Sequence, residues 1–419
     1  MITNWPLRKS MMVTLAMAWF LSYADRVNMS VASIAMQAEF GWDETTKGLV
    51  MGSVFLGYIG SQLIGGMITE RFGAARILGL AVLLFSLFTL ITPTAANHSF
   101  TALIIARILL GIAEGFAVPA TYAFIGRWSL PNERARLLAI VVSGATIGAP
   151  GGLMLSGWIV ESYGWPMTFY TFGYVGIIWS IYWLLNACDD PSKHKNISQE
   201  EKQLLQSHTT DAEENNPIPY KAILSHPAIW AIVINKFCAL WMVYMFLAWL
   251  PSYFSAVQGV SLAESGLFSA LPWIAMSLML YVASGLSDGM LGKGQNIDKV
   301  RRLMQVIGLG GSLLFLFMIP FAESPAIAVG IACAAMAALA FCYSGADPTV
   351  MEVAPKHRAF VTGLVGTIGN LPGVIAIPLI GYLVDTTGSY KWAFISAASI
   401  NIVGIIVWLR YGTGRKVID

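Results

Sequence analysis

The sequence has few charged residues. Only 11% of its 419 residues are Asp, Glu, Lys or Arg, whereas 56% are hydrophobic. A soluble protein carries roughly 25% charged residues, so this shortage excludes an ordinary soluble chain. Apolar runs of about 20 residues recur from end to end, and each is long enough to cross the hydrocarbon core as a helix. The composition therefore predicts a polytopic helical membrane protein.

Cysteine and histidine are also scarce. The four cysteines, Cys188, Cys238, Cys333 and Cys342, lie in or beside predicted spans without paired spacing, which argues against a disulfide framework or a metal site. The five histidines are scattered outside the predicted hydrocarbon core, and no His-Glu-x-x-His motif or nucleophile elbow is present. No basic stripe points to nucleic acid. We therefore predict neither an enzyme nor a cofactor, with protons as the only coupling ion.

The hydrophobic runs divide into twelve predicted membrane spans. No cleavable signal peptide is visible, because the first run is long and lacks an Ala-x-Ala exit. With a cytoplasmic N-terminus, only Lys47 and Lys391 lie outside, and only Arg26, Arg107 and Lys236 lie within the membrane. All other Lys and Arg residues are then cytoplasmic, which supports cytoplasmic termini. The predicted spans are 10–34, 46–68, 75–94, 100–126, 135–161, 166–187, 228–256, 265–287, 302–321, 325–351, 360–384 and 391–411.

One long polar stretch divides the spans into two sets of six. We predict an N-terminal six-helix bundle over 1–188, a cytoplasmic linker over 189–227 and a C-terminal six-helix bundle over 228–419. Ser198 and Glu201 make a possible capping box for a short helix in the linker. The loops after the second and eighth spans resemble each other, as do those after the fourth and tenth. Two such repeats are typical of a transporter whose binding site lies at the membrane midplane.

Two opposite-charge pairs lie inside the apolar segments. Asp25 and Arg26 are adjacent in the first span, and Arg107 and Glu114 are seven residues apart in the fourth. Charges at bilayer depth are costly and persist where they face a cavity, a partner or a substrate. Arg107 and Glu114 share one helix face, whereas Asp25 and Arg26 point about 100° apart, so that one can face the cavity and the other a neighbouring helix. We predict that the four residues form one buried polar cluster.

Several motifs resemble the major facilitator superfamily. Gly66-Met-Ile-Thr-Glu-Arg-Phe-Gly-Ala-Ala-Arg76 resembles its loop signature, with Glu70 where Asp is usual, and Arg107-x-x-x-Gly-x-x-x-Gly-x-x-x-Pro119 resembles its fourth-span signature. Within the superfamily, four segments resemble the anion:cation symporters, the group that holds sialin, vesicular glutamate carriers, plastid phosphate carriers and bacterial sugar-acid symporters. These segments are Asp-Arg-Val-Asn-Met-Ser at 25–30, Gly-x-x-Glu-Gly at 111–115, Trp-Leu-Pro-Ser-Tyr-Phe at 249–254 and Glu-Ser-Gly-Leu at 264–267.

The resemblance implies an all-α membrane protein with twelve transmembrane helices in two pseudo-symmetric six-helix bundles. It also implies alternating access and, as in many members, proton-coupled uptake of a carboxylate. The lack of an extended first outer loop or a transit segment favours a bacterial cytoplasmic membrane. We expect a monomer in the lipid bilayer.

The charges of the buried cluster indicate a role for each of its residues. Arginine does not lose its charge in proteins, whereas a buried carboxylate can take up a proton. Each proton therefore changes how well the site holds an anion, which is the reciprocal linkage that a symporter needs. We predict that Arg26 clamps the substrate carboxylate, as guanidinium geometry favours. Asp25 and Glu114 would carry protons, and Arg107 would set the protonation of Glu114 while sharing the anion; the resemblance implies the same assignment.

Further substrate contacts are predicted at positions that also have structural interpretations. Tyr58 is a candidate hydrogen-bond donor to the substrate or a packing tyrosine, and Asp347 is a contact for hydroxyl or amine groups or an acid that supports the inner loop. Lys236 is expected to extend toward the cytosol. The remaining candidates for hydrogen bonds to the substrate are Gln62, Ser344 and Asn370, and the predicted inner gate consists of Gly66, Glu70, Arg71, Arg76 and Asp288.

The leading function is proton-driven uptake of an organic anion, a monocarboxylate such as a sugar acid. A carrier of inorganic phosphate or an anion exchanger is the alternative within transport. A static ion network that only holds spans one and four together is the structural alternative. A drug efflux pump would favour a cavity rich in acids, whereas the predicted cavity has an excess of basic residues.

Overall fold

The structure is a computed structural model that describes residues 6–130, 133–206 and 219–418. Helices make up all the regular secondary structure of these residues. Part of the predicted linker, residues 207–218, lies outside the described residues. The described part of the linker contains a short 3-10 helix (Pro191–Lys193) and two short α-helices, α7 (Gln199–Gln206) and α8 (Tyr220–Ser225).

Long helices precede and follow the linker. Before it are α1 (Leu7–Phe40), α2 (Glu44–Phe72), α3 (Ala74–His98), α4 (Phe100–Trp128), α5 (Arg134–Tyr163) and α6 (Trp165–Asn186). After it are α9 (Pro227–Ala256), α10 (Leu262–Gly292), α11 (Ile297–Met318), α12 (Pro325–Leu339), α13 (Cys342–Glu352), α14 (Arg358–Gly369), α15 (Pro372–Thr387) and α16 (Lys391–Tyr411). Two 3-10 turns, Ile319–Phe321 and Pro355–His357, follow α11 and α13.

The helices agree with the predicted spans. In the described residues, 10 helices are long and apolar enough to cross a membrane, or 11 if the bent α2 counts as one span. The first predicted span, α1, is not among these candidates, although its 34 residues exceed the length that a membrane requires. Asp25 and Arg26 lie in the middle of α1 and lower the mean hydropathy of this helix. The tenth and eleventh spans each consist of two helices in sequence.

The breaks in these two spans lie at comparable positions. α12 ends at Leu339 and α13 begins at Cys342, and α14 ends at Gly369 and α15 begins at Pro372. A break inside a membrane span exposes backbone polar groups that lipid does not satisfy, so it is tolerated only in the protein interior or along a cavity. In transporters, such discontinuous helices commonly form binding sites.

The chain divides into two compact units. One consists of Met1–Ala32 and Ser53–Glu214, and the other of Ser33–Gly52 and Asn215–Asp419. The adjoining ends of α1 and α2 therefore group with the helices after the linker. The domain boundaries given by the sequence stay a prediction.

The predicted capping box is only half present. The Ser198 hydroxyl accepts a hydrogen bond from the backbone amide of Glu201 at 3.1 Å and so caps α7, as predicted. The Glu201 carboxylate instead accepts hydrogen bonds from the backbone amides of Leu7 and Arg8, each at 3.0 Å. It therefore caps α1, because the first amides of a helix have no partner within the helix.

Glycine allows α4 to pack backbone to backbone against α2. A Cβ added at Gly111 would lie 1.9 Å from the carbonyl oxygen of Val54, and one at Gly115 would lie 1.9 Å from the hydroxyl oxygen of Ser61. Small residues spaced by four are the usual means of close helix contact in membranes. This contact determines the rotation of α4 about its axis, and thereby the direction of the Glu114 side chain.

Close packing at glycines also joins α5 to α1. Added Cβ atoms at Gly144 and Gly148 would lie 1.9 Å and 2.5 Å from the carbonyl oxygens of Ala16 and Phe20. One at Gly152 would lie 2.6 Å from the Cα of Ala24. The three glycines share one face of α5 because four residues are close to one helical turn. α1 therefore turns a fixed face to α5 and its other faces to α3 and α4.

Gly111→Ala is expected to destabilise the protein strongly. The new methyl group would overlap the backbone of α2, so the free energy of unfolding should fall by about 1–3 kcal/mol. Gly126→Ala is the matched control on the same helix, because an added Cβ there meets no atom within 4 Å. Thermal unfolding in detergent should show a lower midpoint for Gly111→Ala alone. Equal midpoints for the two variants would contradict the close contact.

Candidate functional site

An ion pair between α1 and α4 forms the centre of the site. Nε of Arg26 donates a hydrogen bond to Oε2 of Glu114 at 2.8 Å, and the two side chains are only 6% and 1% exposed. The hydroxyl group of Ser22 donates to the other carboxylate oxygen of Glu114 at 3.2 Å. Two of the four charged residues that the sequence assigns to one cluster thus form a direct ion pair, and Asp25 and Arg107 interact electrostatically with Glu114.

Two tyrosine rings flank the Arg26 guanidinium. Its Cζ lies 4.3 Å from the ring centroid of Tyr58 on α2 and 5.2 Å from that of Tyr23 on α1. A cation near an aromatic face is attracted by the ring quadrupole, most strongly where water is excluded. These contacts restrict the guanidinium and pre-organise it for a planar partner such as a carboxylate.

A cavity of about 80 Å³ opens beside the ion pair. Its polar lining comes from Ser22, Arg26 and Glu114 together with Tyr23 and Tyr58, and its apolar lining comes from side chains of α1, α3 and α4. A cavity needs about 10–15 Å³ for each water molecule, so this one accommodates several waters or a small polar group. Gln62, a predicted contact, is half-buried and is not part of the lining.

Asp25 faces α3 instead of the cavity. Its Oδ2 accepts a hydrogen bond from the Thr89 hydroxyl at 2.6 Å, and its Oδ1 accepts one from Nδ2 of Asn28 at 2.7 Å. Asp25 is 2% exposed and is not part of the cavity lining. The 100° step between adjacent helical residues thus sends Arg26 to the cavity and Asp25 to a neighbouring helix.

Arg107 does not line the cavity. It is 1% exposed and interacts electrostatically with both Asp25 and Glu114. Its Nε and Nη1 have no hydrogen-bond partner within the described part of the chain. Arg26 therefore reaches the cavity and Arg107 does not, so direct contact between Arg107 and an anion stays a prediction.

A second ion pair lies in the other compact unit. Nζ of Lys236 on α9 is 2.8 Å from Oδ2 of Asp347 on α13, and the side chains are 22% and 31% exposed. The ammonium group also lies 4.9 Å from the ring centroid of Tyr343. A Cβ added at Gly369 would lie 2.7 Å from Cγ of Lys236, so this glycine makes room for the lysine. The expectation that Lys236 extends to the cytosol missed this partner, which is 111 positions away.

The predicted contacts of this unit lie near its helix breaks. Asn370, between α14 and α15, accepts a hydrogen bond from the Tyr244 hydroxyl through Oδ1 and donates to the carbonyl of Gly366 at 2.6 Å. Ser344 is 4% exposed, and its hydroxyl oxygen lies 3.5 Å from that of Ser284. Tyr244 was not predicted as a site residue, although its spacing of eight residues from Lys236 places both on one face of α9.

The predicted gate residues have few contacts. Within residues 6–130, 133–206 and 219–418, the exposed side chains of Glu70, Arg71, Arg76 and Asp288 form no ion pair. Gly66, at the start of this motif, is half-buried on α2. Their role in gating stays a prediction.

Asp189, which was not predicted as a site residue, caps the start of α3, within the loop signature of residues 66–76. Its Oδ1 accepts hydrogen bonds from the backbone amide of Ala75 at 3.0 Å and from Nη1 of Arg127 at 2.9 Å. Gly73 lies against this carboxylate with φ of 91°, and a Cβ there would be 2.2 Å from Oδ2. A glycine is needed at this position because both the backbone conformation and the contact exclude a side chain.

Asp385 on α15 is another residue that the sequence analysis missed. Its carboxylate accepts hydrogen bonds from the backbone amides of Glu44 at 2.9 Å and Thr45 at 2.6 Å. These residues belong to the same compact unit. Asp385 therefore caps α2, where a negative charge also complements the helix dipole.

Comparison with known proteins identifies the fold. The sequence profile described as the Major Facilitator Superfamily matches residues 15–297 and 290–417. The chain belongs to this superfamily. The predicted fold of two six-helix bundles and the prediction that the protein is not an enzyme are thereby confirmed.

The relatives are anion transporters. The chain is 35% identical to "Ascorbate transporter, chloroplastic" of Arabidopsis thaliana over 402 residues, which cover 96% of this chain and 74% of the relative. It is 34% identical to "Sodium-dependent phosphate transport protein 1, chloroplastic" of the same plant, covering 96% of this chain and 78% of the relative. The predicted place among the anion:cation symporters is confirmed, and the protein is a multi-pass membrane protein that transports an anion.

A solved structure supports the fold alone. A bacterial homologue of the human lysosomal transporter Spinster, in an inward-facing and occupied conformation, superposes with a TM-score of 0.80. The match covers 97% of each chain at 17% sequence identity. Identity this low carries no information about the substrate.

Proposed function

We propose that the protein is a secondary active transporter that takes up an organic anion together with protons by alternating access. The anion is a monocarboxylate such as a sugar acid. The observation that carries this proposal is the buried ion pair between Arg26 and Glu114 in the cavity wall, at 2.8 Å. The anion binds Arg26 and the proton binds Glu114, so both act on the same ion pair.

The coupling follows from competition for Arg26. While Glu114 is ionised, it occupies the guanidinium that an incoming carboxylate needs. A proton on Glu114 removes this competitor, and the permanent charge of Arg26 then favours the anion. By linkage, a bound anion favours protonation of Glu114 to the same extent. Each site therefore promotes occupation of the other, as symport requires.

The Lys236–Asp347 pair supports a hydroxylated substrate. A hydroxyl group can donate to the Asp347 carboxylate and accept from the Lys236 ammonium while the pair stays intact. A second charged group would displace one partner and leave the other uncompensated, which is costly in a half-buried place. This chemistry favours a sugar acid over a dianion. Ascorbate, the substrate named for one relative, is also a hydroxylated anion.

A carrier of inorganic phosphate or an anion exchanger is the second candidate, and the phosphate transport protein among the relatives favours it. For location, we propose a bacterial cytoplasmic membrane with both termini cytoplasmic. The distribution of Lys and Arg supports this orientation. The short connection between α1 and α2 supports a bacterial member, and the protein is proposed to act as a monomer.

Uptake into proteoliposomes tests the function. An inward proton gradient should drive accumulation of gluconate, and hexanoate, which lacks the hydroxyl groups, should compete at least about tenfold more weakly because it forgoes hydrogen bonds to charged groups. Asp347→Asn should reduce this preference for gluconate, whereas Glu323→Gln, at an exposed acid, should leave it unchanged. Competition by phosphate, with dependence on a counter-anion instead of the pH gradient, would support the second candidate.

A further inference from the structure

The two carboxylates assigned to protons lie in different surroundings. Glu114 lines the cavity, whereas Asp25 is held behind it by Asn28 and Thr89. The described structure shows no direct hydrogen bond between the two carboxylates, although each interacts electrostatically with Arg107. A proton that passes between the cavity and Asp25 therefore needs an intermediate carrier.

Asn28 and Arg107, which both interact with Asp25, have buried polar atoms that find no hydrogen-bond partner among the described residues. These atoms are Nε and Nη1 of Arg107, which are donors, and Oδ1 of Asn28, which is an acceptor. Arg107 is 1% exposed and Asn28 is 0% exposed, so bulk water does not reach them. A buried polar group without a hydrogen bond is costly, and such groups are commonly satisfied by an internal water with two to four polar partners. Arg107 interacts electrostatically with Asp25 and Asn28 donates a hydrogen bond to it, so their unpartnered donors and acceptor suit a water next to this carboxylate.

We propose that Asn28 and Arg107 bind a water molecule beside the Asp25 carboxylate, which Thr89 positions, and that protons pass through this water, as a relay, between Glu114 and Asp25. This inference rests on the proposed proton coupling. Arg107 donates to the water oxygen, and Asn28 accepts one of the water hydrogens. The ligand class is water alone, because the site also borders the Asp25 carboxylate, which would repel an anion.

The proton transfer is balanced within the relay. The protonated carboxyl group of Glu114 gives its proton to the water, and the water passes a different proton to the ionised carboxylate of Asp25. Glu114 becomes ionised and rejoins Arg26, while Asp25 becomes neutral and the water is regenerated. The groups that face Asp25 are Asn28 on its own helix, Thr89 on α3, and Arg107 and Glu114 on α4.

Thr89 is a positioning residue in this scheme. Its hydroxyl lies 2.6 Å from Oδ2 of Asp25 and also 2.9 Å from the carbonyl oxygen of Phe85 on its own helix. One turn farther along α3, the hydroxyl of Thr92 donates a hydrogen bond to the carbonyl of Phe88 at 2.8 Å and donates none to Asp25. The two threonines are therefore a matched pair that differs in the contact with the carboxylate.

Thr89→Val and Thr92→Val test the relay in proteoliposomes. Gluconate counterflow at equal pH measures binding and conformational change without net proton transfer, and it should stay within about twofold of the original protein in both variants. Accumulation driven by a pH gradient should fall about tenfold in Thr89→Val, because a hydrogen bond to a charged group is lost, and should be unchanged in Thr92→Val. Equal accumulation by the two variants, or loss of counterflow in Thr89→Val, would overturn the role of Thr89.

Infrared spectra recorded in ordinary water and in water labelled with oxygen-18 are subtracted to test the bound water directly. The original protein should show an isotope-sensitive band of an internal water, and Asn28→Leu should lose it. Persistence of the band in Asn28→Leu, or its absence from the original protein, would refute the relay. If the original protein fails to accumulate any acid against a gradient, the proposed function fails, whereas the spectra still judge the water site.

Discussion

Replacing Arg26 with alanine is expected to abolish binding of the anion. The guanidinium is the charged donor at the cavity surface, and two charge-assisted hydrogen bonds to a carboxylate are lost with it. At about 1.5–3 kcal/mol each, their loss should weaken the affinity at least about 100-fold. Calorimetric titration of the purified protein with gluconate measures this change. Arg410→Ala, at an exposed arginine near the end of α16, is the control and should bind normally.

Two further variants separate loss of the site from loss of the fold. Arg26→Ala leaves Glu114 buried without its cation, which costs about 3–5 kcal/mol while the carboxylate is ionised. The double variant with Glu114→Gln removes that charge, so it should regain thermal stability and still fail to bind. Arg26→Lys keeps the charge and loses the planar fork, and we expect intermediate affinity. Normal binding by Arg26→Ala would contradict the proposed role of Arg26.

Replacing Glu114 with glutamine is expected to uncouple transport from protons. Glutamine keeps the shape and hydrogen-bonding capacity of the protonated side chain but carries no exchangeable charge, so Arg26 stays available to the anion at every pH. Accumulation driven by a pH gradient should therefore disappear, while counterflow of gluconate persists and becomes independent of pH. Both are measured in the same proteoliposomes by imposing or omitting the gradient. Glu323→Gln, at an exposed acid, should keep full accumulation.

This experiment also addresses the structural alternative. If the Arg26–Glu114 pair only held α1 against α4, Glu114→Gln would lower thermal stability and reduce accumulation and counterflow together. Counterflow that survives without accumulation would instead support coupling. Uphill, gradient-driven uptake by Glu114→Gln would show that the proton binds elsewhere.

The fold was predictable because its evidence is local. The cost of charge in lipid confines polar residues to loops, so the spans follow from hydropathy. The charges that remained in α1 and α4 therefore marked the site, and the structure places Arg26 and Glu114 2.8 Å apart. The helix break before Cys342 was not predicted, because a break depends on neighbours that satisfy its backbone groups.

Sequence alone determined that this protein is a helical membrane transporter with a charged site, because membrane insertion responds to residue type along the chain. Tertiary structure alone decided which charged groups meet. The choice of Arg26 over Asp25 for the cavity depends on the face of α1 that Gly144, Gly148 and Gly152 hold against α5. The partnership of Lys236 with Asp347 likewise joins two helices far apart in the chain. Such pairings arise from helix rotation and packing, which side-chain contacts set in three dimensions.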